Sequence, residues 1–330
     1  MQYNSADALA KVGKPAVPAL IEALKDKNES VREYASWALV SIAREHPKYD
    51  WRSAAPALID ALKDENWVVR ANVATAFAET DDASAVPALI ERLRDEDSEV
   101  RARAATALEW IGDKSAVPSL MKLLNSYNPD AQRSATARVL EFIAQKYPEY
   151  DWKPFVPVLI EKLGDNAVGV RRNISGVLWN ITADHPDYAW KQAFPALINS
   201  LGDKDEHVQF CALWMLRRFV SQSPEYEWNT AVYPLLEMLE SNKGHVRDDA
   251  VHLLGNIAGK HPEYNSIVIP ALIEALNDWN LAGKESAAWA LVDAKDLSAI
   301  PALLETQKSD DEEWKDIVRT VVGHLYATKQ

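Results

Sequence analysis

Tryptophan, arginine and histidine recur at one place in a repeating unit of this chain: Trp37, Arg138, Trp214, His252 and Trp289 share the same position in five of nine units, with Thr75, Thr106, Gly176 and Thr320 in the others. Arg172, Trp179, Phe210, Arg217 and Arg218 stand at neighbouring positions of the same face. Rings beside guanidinium groups hold protein segments, the rings through apolar area and the cations by pairing with carboxylate or phosphate. Phe210, Trp214, Arg217 and Arg218 form the densest such group, two aromatics one turn apart beside two cations. The same residues also suit plain packing between units, with Arg stacked on Trp. His252 stands near Asp248 and Asp249, but a lone His beside carboxylates is more often a solvated face than a metal site. His46, His185 and His261 each precede a Pro, where a cation suits a helix C-terminus. No Gly-rich phosphate loop, HExxH, CxxC or GxSxG turn occurs, so neither a catalytic residue set, a metal nor a cofactor is expected.

The element that positions these residues starts nine times in the same way. PALIEALKD runs from Pro18, PALIDALKD from Pro56, PALIERLRD from Pro87, PSLMKLLNS from Pro118 and PVLIEKLGD from Pro157. PALINSLGD, PALIEALND and PALLETQKS follow from Pro195, Pro270 and Pro301, and one copy has Tyr233 in the proline place with Pro234 after it. The Pro suits a first helical turn, and Ser84, Ser115 and Ser298, three residues before it, are placed to cap that helix. A second helix follows 13 residues after the Pro place, or 14 after Pro118. Counting its first apolar residue as position 0, positions 0, 4, 7, 8 and 11 fall within one stripe of about 100°. Val31, Ala35, Ala38, Leu39 and Ile42 fill them once; Val100, Ala104, Ala107, Leu108 and Ile111 fill them again. Positions 2, 6, 9 and 13 then point outward. Position 10 carries Trp110, Phe142, Asn180, Arg218 and Asn256.

Spacings between Pro places are 38, 31, 31, 39, 38, 38, 37 and 31. The five long ones contain an insert: HPKYDW from His46, YPEYDW from Tyr147, HPDYAW from His185, SPEYEW from Ser223 and HPEYNS from His261. Its rings serve either as plugs over the lengthened connection or as a binding ridge, and plugs are favoured. A net charge of −13 argues against general binding to nucleic acid or anionic membrane. Cys211 alone excludes an intrachain disulfide framework. No stretch approaches a membrane span, and the start MQYNSADALAKVG lacks a signal peptide's basic and apolar regions, so a soluble cytoplasmic chain is expected.

An acid closing the first helix and a cation opening the second recur six residues apart: Asp26/Arg32, Asp64/Arg70, Asp95/Arg101 and Asp165/Arg171. Asp278/Lys284 is a variant, Asp203/Gln209 loses the charge, and the series breaks at Ser126/Arg133 and Ser241/Arg247. On these residues the chain resembles the HEAT-repeat proteins, closest to the short HEAT-like or bilin-lyase-type repeats, from about Ala6 to the C-terminus. The resemblance implies an all-α, right-handed α-α superhelix of about nine helix pairs, with the Asp and Arg forming a ladder between repeats. One solenoid is expected over 1–330: a half-repeat at 1–14, eight repeats over 15–300 and a polar capping repeat at 301–330. The resemblance also makes the second helices the lining of a concave groove.

Three relatives of that scaffold have chemistry to compare. Deoxyhypusine hydroxylase needs His-Glu pairs, and here the adjacent pairs run Glu45-His46 and Glu206-His207 without recurring at repeat spacing. No bilin-lyase catalytic set is matched. The alkylpurine DNA glycosylases use Trp, Asp and Arg, types present at Trp179, Trp214, Arg217 and Asp249, but the overall charge weighs against DNA. The expected function is a non-enzymatic scaffold binding a protein or peptide segment, with a groove whose middle arginines (Arg103, Arg138, Arg172, Arg217, Arg218) fit an acidic or phosphorylated one. The alternatives are a nucleic-acid-binding or base-repair-type protein, or a structural subunit of a larger assembly.

Overall fold

The computed structural model describes residues 11–126, 129–186, 188, 190–222, 227–241, 244–278, 281–306 and 312–327. Among them are eighteen α-helices and no strand. The first unit, Met1–Asp184, holds α1 (Val17–Ala23), α2 (Glu29–Glu45), α3 (Ala55–Ala61), α4 (Trp67–Thr80), α5 (Val86–Arg92), α6 (Ser98–Ile111), α7 (Val117–Asn125), α8 (Asp130–Lys146), α9 (Val156–Lys162) and α10 (Val168–Asp184). The second, His185–Gln330, holds α11 (Phe194–Leu201), α12 (Glu206–Gln222), α13 (Asn229–Leu239), α14 (Gly244–Lys260), α15 (Asn265–Asp278), α16 (Leu281–Ala294), α17 (Ile300–Thr306) and α18 (Glu312–Ala327). Odd-numbered helices are the Pro-led first helices, and each packs on the even-numbered helix that follows. Within a unit each second helix also packs on the next, α2 to α10 in the first and α12 to α18 in the second.

The Pro stands at the second residue of most first helices, where its missing N–H needs no partner. In α13 and α15 the preceding turn has joined the helix, so Pro234 and Pro270 lie inside longer helices. The serines do not cap. Asp82, Asp113 and Asp296, two residues earlier, accept from the N–H of Ser84, Ser115 and Ser298, because a carboxylate there reaches the free amides of the 3-10 turn that precedes each first helix. Second helices start on Asn28, Asn66 and Asp97, which accept from the amide two residues on. The apolar stripe is the core: Ala104, Ala107 and Val100 are fully enclosed, as are Leu89 and Leu93 of the facing first helix. Burial of each such Leu stabilises by about 2 kcal/mol.

The ladder acid does two jobs. Asp64 Oδ1 accepts from Asn66 N at 2.8 Å, closing the turn between α3 and α4, and both its oxygens take Arg32 of the preceding repeat, at 2.7 and 3.2 Å. The cation also does two jobs. Arg70 binds Asp95 of the next repeat at 2.9 and 2.7 Å and donates to the carbonyls of Asp64 and Glu65 in its own. Arg101 keeps only the carbonyls of Asp95 and Glu96, since Ser126 stands where the next acid belongs. Arg133, at the break read from sequence, nevertheless binds Asp165 at 3.1 and 2.8 Å, so the ladder resumes there. Arg171 donates to the carbonyls of Asp165 and Asn166.

The insert rings are plugs. Trp51, Trp152, Trp190 and Trp228 are buried, and Tyr49 and Tyr150 stand edge-on to Trp51 and Trp152 at 5.3 and 5.5 Å. Trp190 Nε1 donates to His185 O at 2.7 Å and Trp152 Nε1 to Tyr147 O at 3.3 Å, which tie each ring to the end of its own second helix. A ridge of exposed tryptophans along these inserts is therefore not formed. The half-repeat expected over 1–14 lies mostly outside the described residues. At the other end α17 and α18 pair with Trp314, Val318, Val321 and Leu325 buried.

Candidate functional site

The outward positions of the second helices carry exposed rings in the first unit. Trp37 on α2 is 42% exposed, Trp110 on α6 is 68% and Phe142 on α8 is 38%. Trp110 and Phe142 occupy position 10 of adjacent packed helices and so form one apolar ledge. Beside it runs a polar row. Arg138 Nε binds Glu109 Oε1 of α6 at 2.5 Å, and its Nη2 donates to Thr106 Oγ1 at 3.2 Å. Arg103 is paired with Glu99 at 2.7 Å on its own helix. Arg172 is exposed and, among the described residues, makes no hydrogen bond or ion pair through its side chain. Trp179, on the same helix, is half-buried.

Glu141 of α8 lies over the bare backbone of Gly176 on α10. A Cβ at Gly176 would strike its carboxyl, meeting Cδ at 2.7 Å and Cγ at 3.1 Å. Burial pushes the Glu141 carboxyl up to about 7; Arg172 opposes that rise and Glu109 adds to it. This residue was not singled out from the sequence. The available signal was a glycine at position 6 of α10, the place held by larger residues in the other repeats.

In the second unit, Arg218 lies over the Trp214 ring at 5.4 Å, and Phe210 and Trp214 are half-buried. Trp289 stands edge-on to His324 at 5.2 Å. Arg217 is exposed and makes no hydrogen bond among the described residues, but it acts on Asp249 and His252 of α14 and Asp293 of α16. Burial raises the carboxyls of Asp249 and Asp293 above their ordinary range, against the pull of Arg217 and His252. Burial, helped by Arg217, lowers His252 below the ordinary imidazole range, against the pull of Asp293, Asp249 and Asp248. Asn256 donates to His252 O at 2.6 Å and to Asp293 Oδ2 at 3.4 Å.

Of the ten outward residues read from sequence, the fold brings Arg217 together with His252, and Trp214 with Arg218. It leaves Trp37 apart from Arg138 and Arg172, and it closes Trp289 against His324. Three of the five middle arginines are already engaged, which leaves Arg172 and Arg217 as the cations without a bonded partner among the described residues. Among the described residues no group of three or more His, Cys, Asp or Glu could hold a metal ion. No helix among them is long and apolar enough to cross a membrane. A groove of about 410 Å³ lined by Lys191, Phe194, Pro195, Ile198, Glu227 and Thr230 belongs to the first helices α11 and α13 and the turns before them, with nothing from a second helix.

The sequence matches family models described as HEAT repeats over residues 55–141, as HEAT repeat over 16–46 and as PBS lyase HEAT-like repeat over 1–26. No curated protein matches it. Among solved structures, the crystal structure of an engineered protein aligns over 98% of this chain and 95% of its own, with a TM-score of 0.64 and 22% identity. That likeness concerns the fold alone. With the paired helices, the repeated Pro start and the Asp–Arg ladder, the three matches support a HEAT-repeat protein.

Proposed function

We propose that this chain is a non-enzymatic interaction scaffold whose second helices bind a protein or peptide segment, with acidic or phosphorylated side chains meeting its unpaired arginines. HEAT repeats generally mediate protein interactions, which supports the broad reading. The finer reading rests on one observation: Trp110 and Phe142 are exposed on adjacent packed helices of the unit whose Arg172 has no bonded partner among the described residues. In the second unit Trp214, Arg217 and Arg218 supply the same residue types on α12.

The test is selection of displayed random peptides on the immobilised chain, followed by anisotropy of fluorescein-labelled winners. Acidic segments with apolar residues are expected. Trp110→Ala with Arg172→Ala, or Arg217→Ala in the second unit, weakens binding at least about tenfold without moving the unfolding midpoint. Winners that bind both variants as well as the parent would reject the second-helix surface. A salt-sensitive gel shift with duplex DNA would instead favour nucleic acid.

A further inference from the structure

Gly176 is the buried exception at a position that is otherwise outward, and what occupies its space is an acid. Glu141 lies flat on α10, its carboxyl within reach of where a side chain at Gly176 would be. Among the described residues that carboxyl makes no hydrogen bond. Arg172 sits four residues before Gly176 on the same helix, exposed and near enough to act on Glu141, yet not bonded to it. The other charged group facing Glu141 is Glu109 from α6, and it is already held by Arg138 of Glu141's own helix. The local balance is thus one unclaimed guanidinium beside one half-buried acid, on a chain that is acidic overall. Phe142 adjoins Glu141 in sequence, and Trp110 stands at the matching position of α6.

We propose that Arg172 and Glu141, over the bare backbone of Gly176, form the seat for one carboxylate of an acidic peptide segment, Arg172 taking its charge and the Glu141 carboxyl group sharing a proton with it. The inference rests on the scaffold reading above and adds a ligand group and its regulation. A carboxylic acid is a good donor to a carboxylate, and the guanidinium supplies the countercharge. Apolar neighbours of that ligand residue lie on the Trp110–Phe142 ledge. When Glu141 ionises it claims Arg172 for itself and repels the ligand, so binding requires the protonated form. With the acid titrating at about 7, its protonated share falls from about nine-tenths at pH 6 to about one-tenth at pH 8, and affinity falls about tenfold with it. The sign is fixed: the complex holds a proton that the free protein loses as pH rises through 7.

The test uses the full chain and a peptide of four glutamates and two leucines carrying tetramethylrhodamine, a dye that does not titrate between pH 6 and 8, with a glutamine version as control. Glutamate side chains titrate below pH 5, so any change between pH 6 and 8 belongs to the protein. Phosphate is avoided because its own ionisation near pH 6 would obscure the effect. The parent is expected to bind about tenfold more weakly at pH 8 than at pH 6. Glu141→Gln, which keeps a neutral donor, binds at both pH values as the parent does at pH 6. Arg172→Ala, an exposed position, loses binding at both while unfolding as the parent does. A parent affinity constant within twofold across this range, or a pH decline that survives in Glu141→Gln, overturns the seat and leaves the scaffold reading standing. No binding of the glutamate peptide at either pH overturns both the seat and the acidic partner.

Discussion

Gly255→Ala is expected to destabilise the protein by about 2–3 kcal/mol, although alanine is the better helix former. At an open helical site the change gains about 1 kcal/mol. Gly255 is not open: a Cβ there would stand 2.5 Å from Ala290 O and 2.8 Å from both Ala290 Cα and Cβ. At Gly259, one turn on, it would collide with Asp293 O and reach Asp293 C at 3.1 Å. Apart from Ala290 Cβ these are backbone atoms of α16, so relief requires the whole helix to move off α14. Overpacking of that kind costs about 1–3 kcal/mol, at the upper end when backbone must shift. Two sites in the same chain calibrate the result. Gly323 on α18 has nothing within 4 Å of its would-be Cβ, and Gly323→Ala should gain about 1 kcal/mol. At Gly176 the three atoms nearest a Cβ all belong to the Glu141 side chain, which can swing away, so Gly176→Ala should cost far less than Gly255→Ala. Urea midpoints of the three variants provide the check; a Gly255→Ala protein as stable as Gly323→Ala would show that α14 and α16 are not in backbone contact.

Arg70→Met is expected to cost about 3–5 kcal/mol, because it strands a buried acid. Arg70 and Asp95 are each 6% exposed and joined by two hydrogen bonds of 2.9 and 2.7 Å. Removing one partner of such a pair leaves an uncompensated charge, the expensive way to break it. Raising of the Arg70 pKa, led by its bond to Asp95, agrees in direction. Asp95 would retain Arg92 at 3.3 Å and the amide of Asp97, a partial rescue that favours the lower figure. Arg101→Met should cost about 1 kcal/mol or less, since Arg101 binds only two carbonyls of its own repeat. Equal losses for Arg70→Met and Arg101→Met in urea unfolding would remove the inter-repeat ladder from the stability account.

Much of the architecture is legible in the residues. The Pro start, the small Ala positions and the apolar stripe define nine helix pairs because each restricts backbone or burial locally. The insert tryptophans were legible as plugs for the same reason: a Pro that stops the helix leaves a gap that a large ring fills. The Ser caps were misread because the Asp two residues earlier competes for the same turn and wins by charge. Surface chemistry was less legible. Whether an arginine is free depends on the neighbouring repeat, about 30 to 40 residues away: Arg138 finds Glu109, and Arg172 finds only a carboxyl it does not bond. Trp289 looked outward in its own helix and is met by His324 from the next but one. Glu141 needed Gly176 across the packing interface before its burial could be seen.

The central claim, that partners lie on the second helices, is tested most directly by hydroxyl-radical footprinting of the chain with and without a bound acidic peptide. Trp110 and Phe142 are predicted to become protected, while Tyr233, 61% exposed on the first helix α13, reacts unchanged. Protection of Tyr233 with Trp110 and Phe142 still reactive would place the partner on the opposite helices and contradict the account.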